Sequence, residues 1–589
     1  MLRLSLVLAV LLPSVLMVGA CRTTPAPRSL APKPKPNAAA VVERFDGEFL
    51  NSLPLQSRSS IQDVLGNQVA GAVGSQGQVR LRGRTVTFAE LEGFAMLSGR
   101  DGAESAEGNT ESYDVVNENP YFSAAEAPLS TFSIDVDTAS YANVRRFIEN
   151  GRLPPPAAVR IEELVNYFRY DYPAPSGDEP FSTSVEMNRC PWNADAQLVR
   201  IGLRGKDIPI DKRPVSNLVF LIDVSGSMEQ DNKLPLVKRS LHILVDQLQP
   251  LDRVAIVVYA GAAGVVLPST AAEQRQTIHA AIDRLESGGS TNGGEGIALA
   301  YDLAAANRVT NGNNRVILAT DGDFNVGVSS QGELVSLVQK RAKHGVFLSV
   351  LGFGMGNLKD SMMEALADHG DGSYHYIDGF NEAKRVLAEQ LAGTLLTIAK
   401  DVKIQVEWNP AQVGAYRLVG YENRMLQKED FNDDRKDAGE MGAGHTVTAL
   451  YEVLPPGEAA EQLLKERKVD KLRYAGPSVS VETNRNELLT VKIRYKPPEG
   501  GESRKWEKSF AASTKDASLE PSKDFEFASA VATFGLLLRH TPLPAGADYD
   551  LVLSLAEAGL SKHVVERAAF ANLVRKARVA AQSSASGQR

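Results

Sequence analysis

Oxygen-bearing side chains in three separate segments have the types and spacing of ligands for a hard metal ion. They are Asp223, Ser225 and Ser227 in DVSGS, Ser290 and Thr291 in the loop ESGGSTNGGEG, and Asp321 in ATDGD. This set offers carboxylate and hydroxyl oxygens and no nitrogen or sulfur, which suits Mg²⁺ best and Mn²⁺ or Ca²⁺ next. Two carboxylates balance a divalent cation. If hydroxyls and water fill the other positions, one position stays open to an acidic side chain of a partner.

Four short apolar runs rich in β-branched residues must position these side chains. The runs cover residues 217–223, 252–260, 314–322 and 345–354, and they have the composition of strands buried on both faces. Amphipathic stretches of helical length lie between them. The alternation predicts an α/β fold over residues 214–397, with a doubly wound, mostly parallel sheet and helices on both faces. Such sheets bind ligands at the carboxyl ends of their strands, where DVSGS and ATDGD lie.

The three segments together resemble a known metal site. Asp-x-Ser-x-Ser after the first strand, a later Gly-Gly-x-Thr loop and a later Thr-Asp-Gly resemble the metal-ion-dependent adhesion site (MIDAS) of von Willebrand factor A domains, which have a Rossmann-like fold. The resemblance assigns as metal ligands Asp223, Ser225, Ser227, Thr291 and Asp321. Ser290 is the adjacent alternative to Thr291. In that family a partner's Asp or Glu binds at the metal, so the resemblance implies cation-dependent binding of a protein.

The segments on both sides of this domain have patterns of their own. Residues 120–213 contain SYANVRRFIEN and VRIEELVNYF, which predict an N-terminal helical flanking segment. Residues 398–515 alternate apolar and polar residues and predict an antiparallel β domain, and residues 516–589 predict terminal helices and a polar tail. The first flank and the region after Thr397 resemble the corresponding parts of bacterial envelope lipoproteins that carry an A domain, including their C-terminal domain of unknown function.

The N-terminus has the anatomy of a secretory signal. Residues 1–20 combine one positive charge, a short apolar run and small residues before Cys21. LMVGAC resembles the lipobox of bacterial lipoproteins, which implies a lipid on Cys21; an ordinary cleaved signal or a short membrane anchor is the alternative. Arg22 is not the aspartate that signals retention at the inner membrane. For a cell with two membranes, the resemblance therefore implies an envelope protein at the outer membrane, facing the periplasm or the cell surface.

The rest of the N-terminal region is divided by composition. We expect a Pro/Ala-rich tether over residues 21–41, a small unassigned unit over residues 42–100 and a Gly-, Glu-, Asn- and Ser-rich linker over residues 101–119. The sequence of residues 42–100 does not indicate a role for that unit.

Composition and missing motifs exclude several classes of function. The chain has 589 residues, a net charge of −8 and a pI near 5.7, which give no drive towards nucleic acid. The 2 cysteines exclude a disulfide framework and a cysteine-rich zinc site. Nucleotide binding lacks support, because there is no Walker A loop and GFGMGN has Asn357 where the last glycine of GxGxxG would stand. The phosphatase signature requires a threonine two residues after the second of its aspartates. Asp135 and Asp137 are followed at that position by Ala139, so we predict that these aspartates form a helix cap or a turn.

These observations favour a binding protein over an enzyme. The sequence has no HExxH motif, no GxSxG motif and no positioned general base, which disfavours a metal-dependent hydrolase or esterase. We therefore expect a lipid-anchored envelope protein that uses a Mg²⁺ site to bind a protein partner through an exposed Asp or Glu. The main alternative is an envelope scaffold in which the metal is structural, and a hydrolase is the lesser one.

Overall fold

The computed structural model describes residues 78–81, 84–87, 110–209, 212–290, 293–322, 331–466, 486–511, 520–544 and 546–587. The chain divides into two compact units, Met1–Ala106 and Glu107–Arg589. In the first unit, the described residues form an antiparallel pair of strands, β1 (Gln78–Leu81) and β2 (Arg84–Thr87). The predicted signal, Cys21 and the tether lie outside the described residues.

The second unit begins with a flanking segment that contains both helices and strands. Its elements are β3 (Phe122–Ser123), β4 (Leu129–Ser133), α1 (Ala139–Glu149), α2 (Ile161–Asn166), β5 (Phe181–Arg189) and β6 (Gln197–Gly205). The two helices fall within the stretches predicted as helical. Helix α1 buries Tyr141, Val144 and Ile148, whose spacing places them on one face. Besides the expected helices, the segment therefore supplies strands.

The central domain alternates strands and helices. Its strands are β7 (Ser216–Asp223), β8 (Arg253–Tyr259), β9 (Ala263–Ala271), β10 (Asn313–Thr320), β11 (Phe347–Phe353) and β12 (Tyr374–Ile377). Its helices are α3 (Leu234–Asp246), α4 (Arg275–Asp283), α5 (Gly293–Ala306), α6 (Gln331–Ala342), α7 (Asp360–Asp368), α8 (Phe380–Lys384) and α9 (Leu391–Leu395).

The strands of this domain form one sheet in the order β12-β11-β10-β7-β8-β9. All neighbours pair in parallel except β8 and β9. Every residue of β7 and of β10 is buried, as expected of central strands covered by helices on both faces. The predicted α/β, doubly wound, mostly parallel fold is confirmed. The two edge strands, β9 and β12, were not predicted.

The region after the central domain is built on antiparallel strands. They are β13 (Thr397–Trp408), β14 (Ala415–Val419), β15 (Met425–Leu426), β16 (Met441–Gly442), β17 (Thr446–Leu454), β18 (Glu487–Lys496) and β19 (Arg504–Ala511), with helix α10 (Glu458–Glu466) after β17. One sheet has the order β15-β4-β13-β18-β19, with β16 on β13, and the other has the order β3-β14-β17-β6-β5. Strands β3 to β6 of the flanking segment thus complete both sheets.

Three terminal helices close the fold. They are α11 (Lys523–Leu538), α12 (Tyr549–Ala558) and α13 (Val564–Gly587). Phe168, Phe527 and Phe570 meet edge to face, with ring centroids 4.8 to 5.6 Å apart, and join the terminal helices to the flanking segment. Within the described ranges, none of the helices has the length and hydropathy required to span a membrane.

Candidate metal centre

The two predicted carboxylate ligands lie at the same edge of the central sheet. Asp223 is the last residue of β7, and Asp321 directly follows β10. These strands are parallel neighbours, and Ile222 pairs with Ala319 in their register. Because the register is aligned to the last residues, both carboxyl ends meet at one edge. Asp223 and Asp321 are both 0% exposed.

The turn after β7 directs backbone and side-chain groups towards these carboxylates. The Ser225 amide donates to Asp223 Oδ1 at 2.9 Å. The hydroxyl oxygens of Ser225 and Ser227 are 3.0 Å apart, and the Ser227 side chain is also hydrogen-bonded to Asp321. Ser227 therefore links the first predicted segment to the third.

The environment of Asp223 contains neutral hydrogen-bond donors. Tyr259 donates to Oδ2 at 3.2 Å and Thr320 donates to the same oxygen at 3.1 Å. Burial raises the pKa of Asp223 to about 6, and the charge of Asp321 acts in the same direction, while hydrogen bonds from Ser225 and Thr320 oppose the shift. A buried carboxylate is thus held without a cationic side chain beside it among the described residues.

The environment of Asp321 is different because it includes a lysine. The ammonium nitrogen of Lys233, the residue before α3, lies 2.9 Å from Asp321 Oδ2. Burial alone would raise the pKa of Asp321, but hydrogen bonds from Asn357, Lys233 and Ser227 and the charge of Lys233 hold that pKa below its ordinary value. Asp321 is therefore the carboxylate of the pair that stays charged most readily.

The glycine-rich loop packs against the turn after β7. The Gly226 amide donates to the Gly289 carbonyl oxygen at 3.1 Å, and the Gly288 amide donates to the Val224 carbonyl oxygen at 2.7 Å. The second predicted segment, the glycine-rich loop, is thus placed beside the first. Thr291 itself lies outside the described residues, and Ser290 next to it is exposed.

Four of the predicted ligands are therefore brought together: Asp223, Ser225, Ser227 and Asp321. Carboxylate and hydroxyl oxygens could hold a hard divalent cation. Four further residues of this site, which were not predicted from the sequence, are Tyr259, Thr320, Asn357 and Lys233. Tyr259 and Thr320 are polar residues at the ends of strands, and that position is a usable signal. The sequence gives no comparable signal for Lys233, which resembles any lysine before a helix.

Comparison with known proteins agrees with this architecture. Residues 217–389 match the family model of the von Willebrand factor type A domain, and residues 107–200 match a model described as von Willebrand factor. Residues 393–579 match the model of the C-terminal region of the uncharacterized protein YfbK.

Individual proteins extend the similarity to most of the chain. The uncharacterized protein YfbK of Escherichia coli (strain K12) is 44% identical over 459 residues, which are 76% of this chain and 78% of that protein. Inter-alpha-trypsin inhibitor heavy chain H3 of Homo sapiens is 30% identical over 276 residues, 43% of this chain and 30% of that protein. The solved structure of von Willebrand factor type A from Catenulispora acidiphila aligns with a TM-score of 0.37 at 16% identity, over 65% of this chain and 89% of that one. The chain therefore belongs to the family of the Escherichia coli protein YfbK and carries a von Willebrand factor type A domain.

Proposed function

We propose that this chain is a lipid-anchored envelope protein that binds a protein partner through a divalent cation and an acidic residue of that partner. The observation that carries the proposal is the meeting of Asp223 and Asp321 with the hydroxyls of Ser225 and Ser227 at one sheet edge. Membership of the von Willebrand factor type A domains, which generally mediate protein–protein interactions, supports a binding role rather than a catalytic one.

The chemistry of these side chains fits a divalent cation. Asp223 is buried, and its described hydrogen-bond donors are all neutral, so its negative charge has no counter-charge in contact. A buried carboxylate in that situation is costly, and a cation relieves the cost. Asp223, Ser225, Ser227 and Asp321 would hold the ion, with Thr291 as the fifth predicted ligand. Mg²⁺ is the first choice for oxygen donors, and Mn²⁺ or Ca²⁺ are the alternatives.

The charges around this position favour an anionic ligand once a cation is present. Asp223 and Asp321 contribute two negative charges and Lys233 contributes one positive charge, which leaves the group at −1. A divalent cation would bring the total to +1 and supply a coordination position for a carboxylate. Opposite charge on the partner then favours association. Lys233 therefore raises the attraction of the loaded site for a partner's Asp or Glu.

The location is proposed from the N-terminal sequence. LMVGAC, which resembles a lipobox, supports lipidation of Cys21 and attachment to the envelope, and outer-membrane placement follows from Arg22. The net charge of −8 supports a protein partner over a nucleic acid. Attachment would keep the A domain close to partners in the same compartment.

A structural role for the cation is the second candidate. The complete burial of Asp223 and Asp321 favours it, because a partner has little direct access to either carboxylate. In that case the cation would stabilise the sheet edge, and the partner would contact another surface.

Partner capture by the full chain tests the proposal. Immobilised protein is exposed to envelope extract in Mg²⁺ or in EDTA, and we expect capture in Mg²⁺ alone. Asp223→Asn should abolish capture, whereas Asp231→Asn, which changes an exposed aspartate in the loop before α3, should not. Amidation of the captured protein's carboxyl groups should also remove binding. If Mg²⁺ raises the melting temperature but leaves the captured proteins unchanged, the structural role is correct and the binding role is wrong.

A further inference from the structure

A second group of carboxylates meets where the A domain adjoins the C-terminal sheets. Asp371 lies in the loop between α7 and β12, and Asp437 and Glu440 lie just before β16. One carboxylate oxygen from each of the three lies within 4.8 Å of the others. The side chain of Asp401, on β13, is hydrogen-bonded to Asp437. These four residues are called the junction carboxylates below.

Backbone hydrogen bonds hold the loop that carries Asp437 and Glu440. The Val402 amide donates to the Gly439 carbonyl oxygen at 2.9 Å. The Ala438 amide donates to Asp401 Oδ1 at 3.2 Å, and the Gly439 amide donates to the Ser133 hydroxyl at 2.7 Å. The loop is therefore fixed on β13 and β4, so its carboxylates are positioned by the fold and not by their mutual contacts.

The environment of Glu440 indicates that the junction carboxylates lack a positively charged ligand. Its side chain is buried, with the residue 7% exposed, and it points into the junction carboxylates. Within the described ranges, no hydrogen-bond donor and no cationic side chain contacts its carboxylate. Burial raises the pKa of Glu440 well above its ordinary value, and the charges of Asp371 and Asp437 add to the shift. A largely buried carboxylate among other negative charges is costly, so this position favours a ligand that supplies positive charge.

The surrounding cations neutralise part of the negative charge of the junction carboxylates. Lys400 Nζ lies 2.6 Å from Asp371 Oδ2, and Lys496 Nζ lies 2.7 Å from Asp401 Oδ2. The nearby guanidinium of Arg315 donates to the Ser349 hydroxyl at 2.6 Å and makes no hydrogen bond to these carboxylates. The charge of Arg315 also acts on Glu440 and Asp371, so the four ionised carboxylates, the two lysines and Arg315 together carry a net charge of −1. That charge favours a bound cation.

We propose that the junction carboxylates form a second divalent cation site, which takes Ca²⁺ and ties the A domain to the C-terminal sheets. Ca²⁺ takes six to eight oxygen ligands at about 2.3–2.6 Å, so two ligands on opposite sides of the ion are about 5 Å apart. The carboxylate oxygens of Asp371, Asp437 and Glu440 all lie within 4.8 Å of one another, a separation that such an ion can bridge. Asp371, Asp437 and Glu440 would contact the ion, and Asp401 would orient Asp437. The site is independent of the one at Asp223.

The test uses the full chain carrying Asp223→Asn, which silences the first site. Calorimetric titration with CaCl₂ should detect about one bound Ca²⁺ per chain, and Ca²⁺ should raise the melting temperature. Adding Glu440→Gln should weaken Ca²⁺ binding at least tenfold. The matched control is Glu429→Gln, which changes an exposed glutamate paired with Lys428 and should leave Ca²⁺ binding unchanged.

A measurement in EDTA separates loss of the site from loss of the fold. Because Glu440 has no partner without the cation, Glu440→Gln should melt in EDTA at or above the temperature of the Asp223→Asn parent. With Ca²⁺ present the order should reverse. The proposal is overturned if the parent binds no Ca²⁺, if Glu440→Gln binds it equally well, or if Glu440→Gln melts lower in EDTA.

Discussion

The ammonium nitrogen of Lys233 lies 2.9 Å from Oδ2 of Asp321, and the two side chains are 4% and 0% exposed. Lys233 also donates to Asn357 Oδ1 at 3.2 Å. The ion pair keeps one carboxylate of the candidate metal centre charged in a buried position. The same ammonium group competes electrostatically with any cation for Asp321. Lys233 thus stabilises the metal-free fold and weakens cation binding.

Replacing Lys233 with methionine should separate these two effects. Removing one partner of a buried ion pair costs about 3–5 kcal/mol, and we expect the free energy of unfolding in EDTA to fall by that amount. The charge of the group changes from −1 to −2, so Mg²⁺ affinity should rise by about tenfold or more, which corresponds to about 1.4 kcal/mol. Urea unfolding in EDTA and calorimetric titration with Mg²⁺ measure the two quantities.

Lys238→Met provides the matched control for that experiment. Lys238 lies on the same helix, α3, but its ammonium group donates to the carbonyl oxygens of Asp283 and Leu285 and not to a carboxylate. We expect this variant to stay within about 0.5 kcal/mol of wild type in unfolding free energy. A lower Mg²⁺ affinity in Lys233→Met would contradict competition between the ammonium group and the cation.

Gly354 has no side chain, and the Lys233 side chain occupies the space where a Cβ atom would lie. Gly354 has φ = 76°, and a Cβ atom there would collide with Cε and Cγ of Lys233. Gly356 has φ = 95°, but its Cβ would meet nothing within 4 Å. Gly356→Ala should therefore cost only the backbone strain, about 1–2 kcal/mol. Gly354→Ala should cost about 1 kcal/mol or more beyond that in urea unfolding; equal losses would mean that Lys233 moves aside freely.

The central sheet and the meeting of Asp223 with Asp321 could be predicted from local patterns. Fully buried parallel strands appear as short apolar runs, and residues that follow such runs lie at one edge of the sheet. Strands β7, β8, β10 and β11 match the predicted runs for this reason. The edge strands β9 and β12 could not be predicted in this way. Strand β9 is mostly half-buried, so it has no continuous apolar run, and β12 has only four residues, which is too short for a clear pattern.

Contacts between distant segments could not be predicted in the same way. Lys233 reaches Asp321, and Asp371 meets Asp437, only because separate elements pack together. Strand β4 lies far before β13 in sequence and pairs with it in the same sheet. Hydrophobic periodicity indicates that a strand has a buried face, but not which strand lies beside it. The shared sheets of the flanking segment and the C-terminal region therefore became evident only in three dimensions.

The buried His375 should make stability depend on pH. Its Nδ1 lies 3.0 Å from the Thr138 hydroxyl and its Nε2 lies 3.1 Å from the Ser373 hydroxyl. Burial lowers the pKa of His375 to about 3, and the charge of Arg385 adds to the shift. In the unfolded chain, His375 therefore becomes protonated as the pH falls through about 6.5, whereas in the folded chain it stays neutral down to about pH 3. The free energy of unfolding consequently falls as the pH is lowered from 6.5 towards 3.

The contribution of His375 can be isolated with a glutamine variant. Between pH 6.5 and pH 5 the wild-type protein should lose about 1.6 kcal/mol more unfolding free energy than His375→Gln, because the slope approaches about 1.4 kcal/mol per pH unit only below pH 6.5. Urea unfolding at several pH values in EDTA measures the difference. His344→Gln, at an exposed site, should give a curve parallel to that of wild type. Parallel curves for His375→Gln and wild type would contradict the assignment.

Arg424 joins three parts of the second unit through its guanidinium group. It lies 3.3 Å from carboxylate oxygens of Asp135 and Asp137 in the flanking segment and 3.3 Å from Glu364 on α7, and it contacts Asp368 at 2.5 Å. The Asp137 amide donates to Asp135 Oδ1 at 2.9 Å, which agrees with the predicted turn role of these aspartates. Four carboxylates thus contact this one guanidinium group, and Glu364 also lies 3.6 Å from Arg160.

Replacing Arg424 with methionine should destabilise the whole second unit. The loss leaves buried carboxylates without their counter-charge, and we expect the free energy of unfolding to fall by about 3–5 kcal/mol at neutral pH. Arg435→Met is the matched control, because Arg435 also pairs with an aspartate but its side chain is 90% exposed, and it should cost at most about 1 kcal/mol. Because the apolar core that the A domain shares with the C-terminal sheets stays in place, the variant should still unfold in one urea transition. A loss no larger than that of Arg435→Met would show that the guanidinium group contributes little to stability. Two separate transitions would show that this group, and not the shared core, couples the parts.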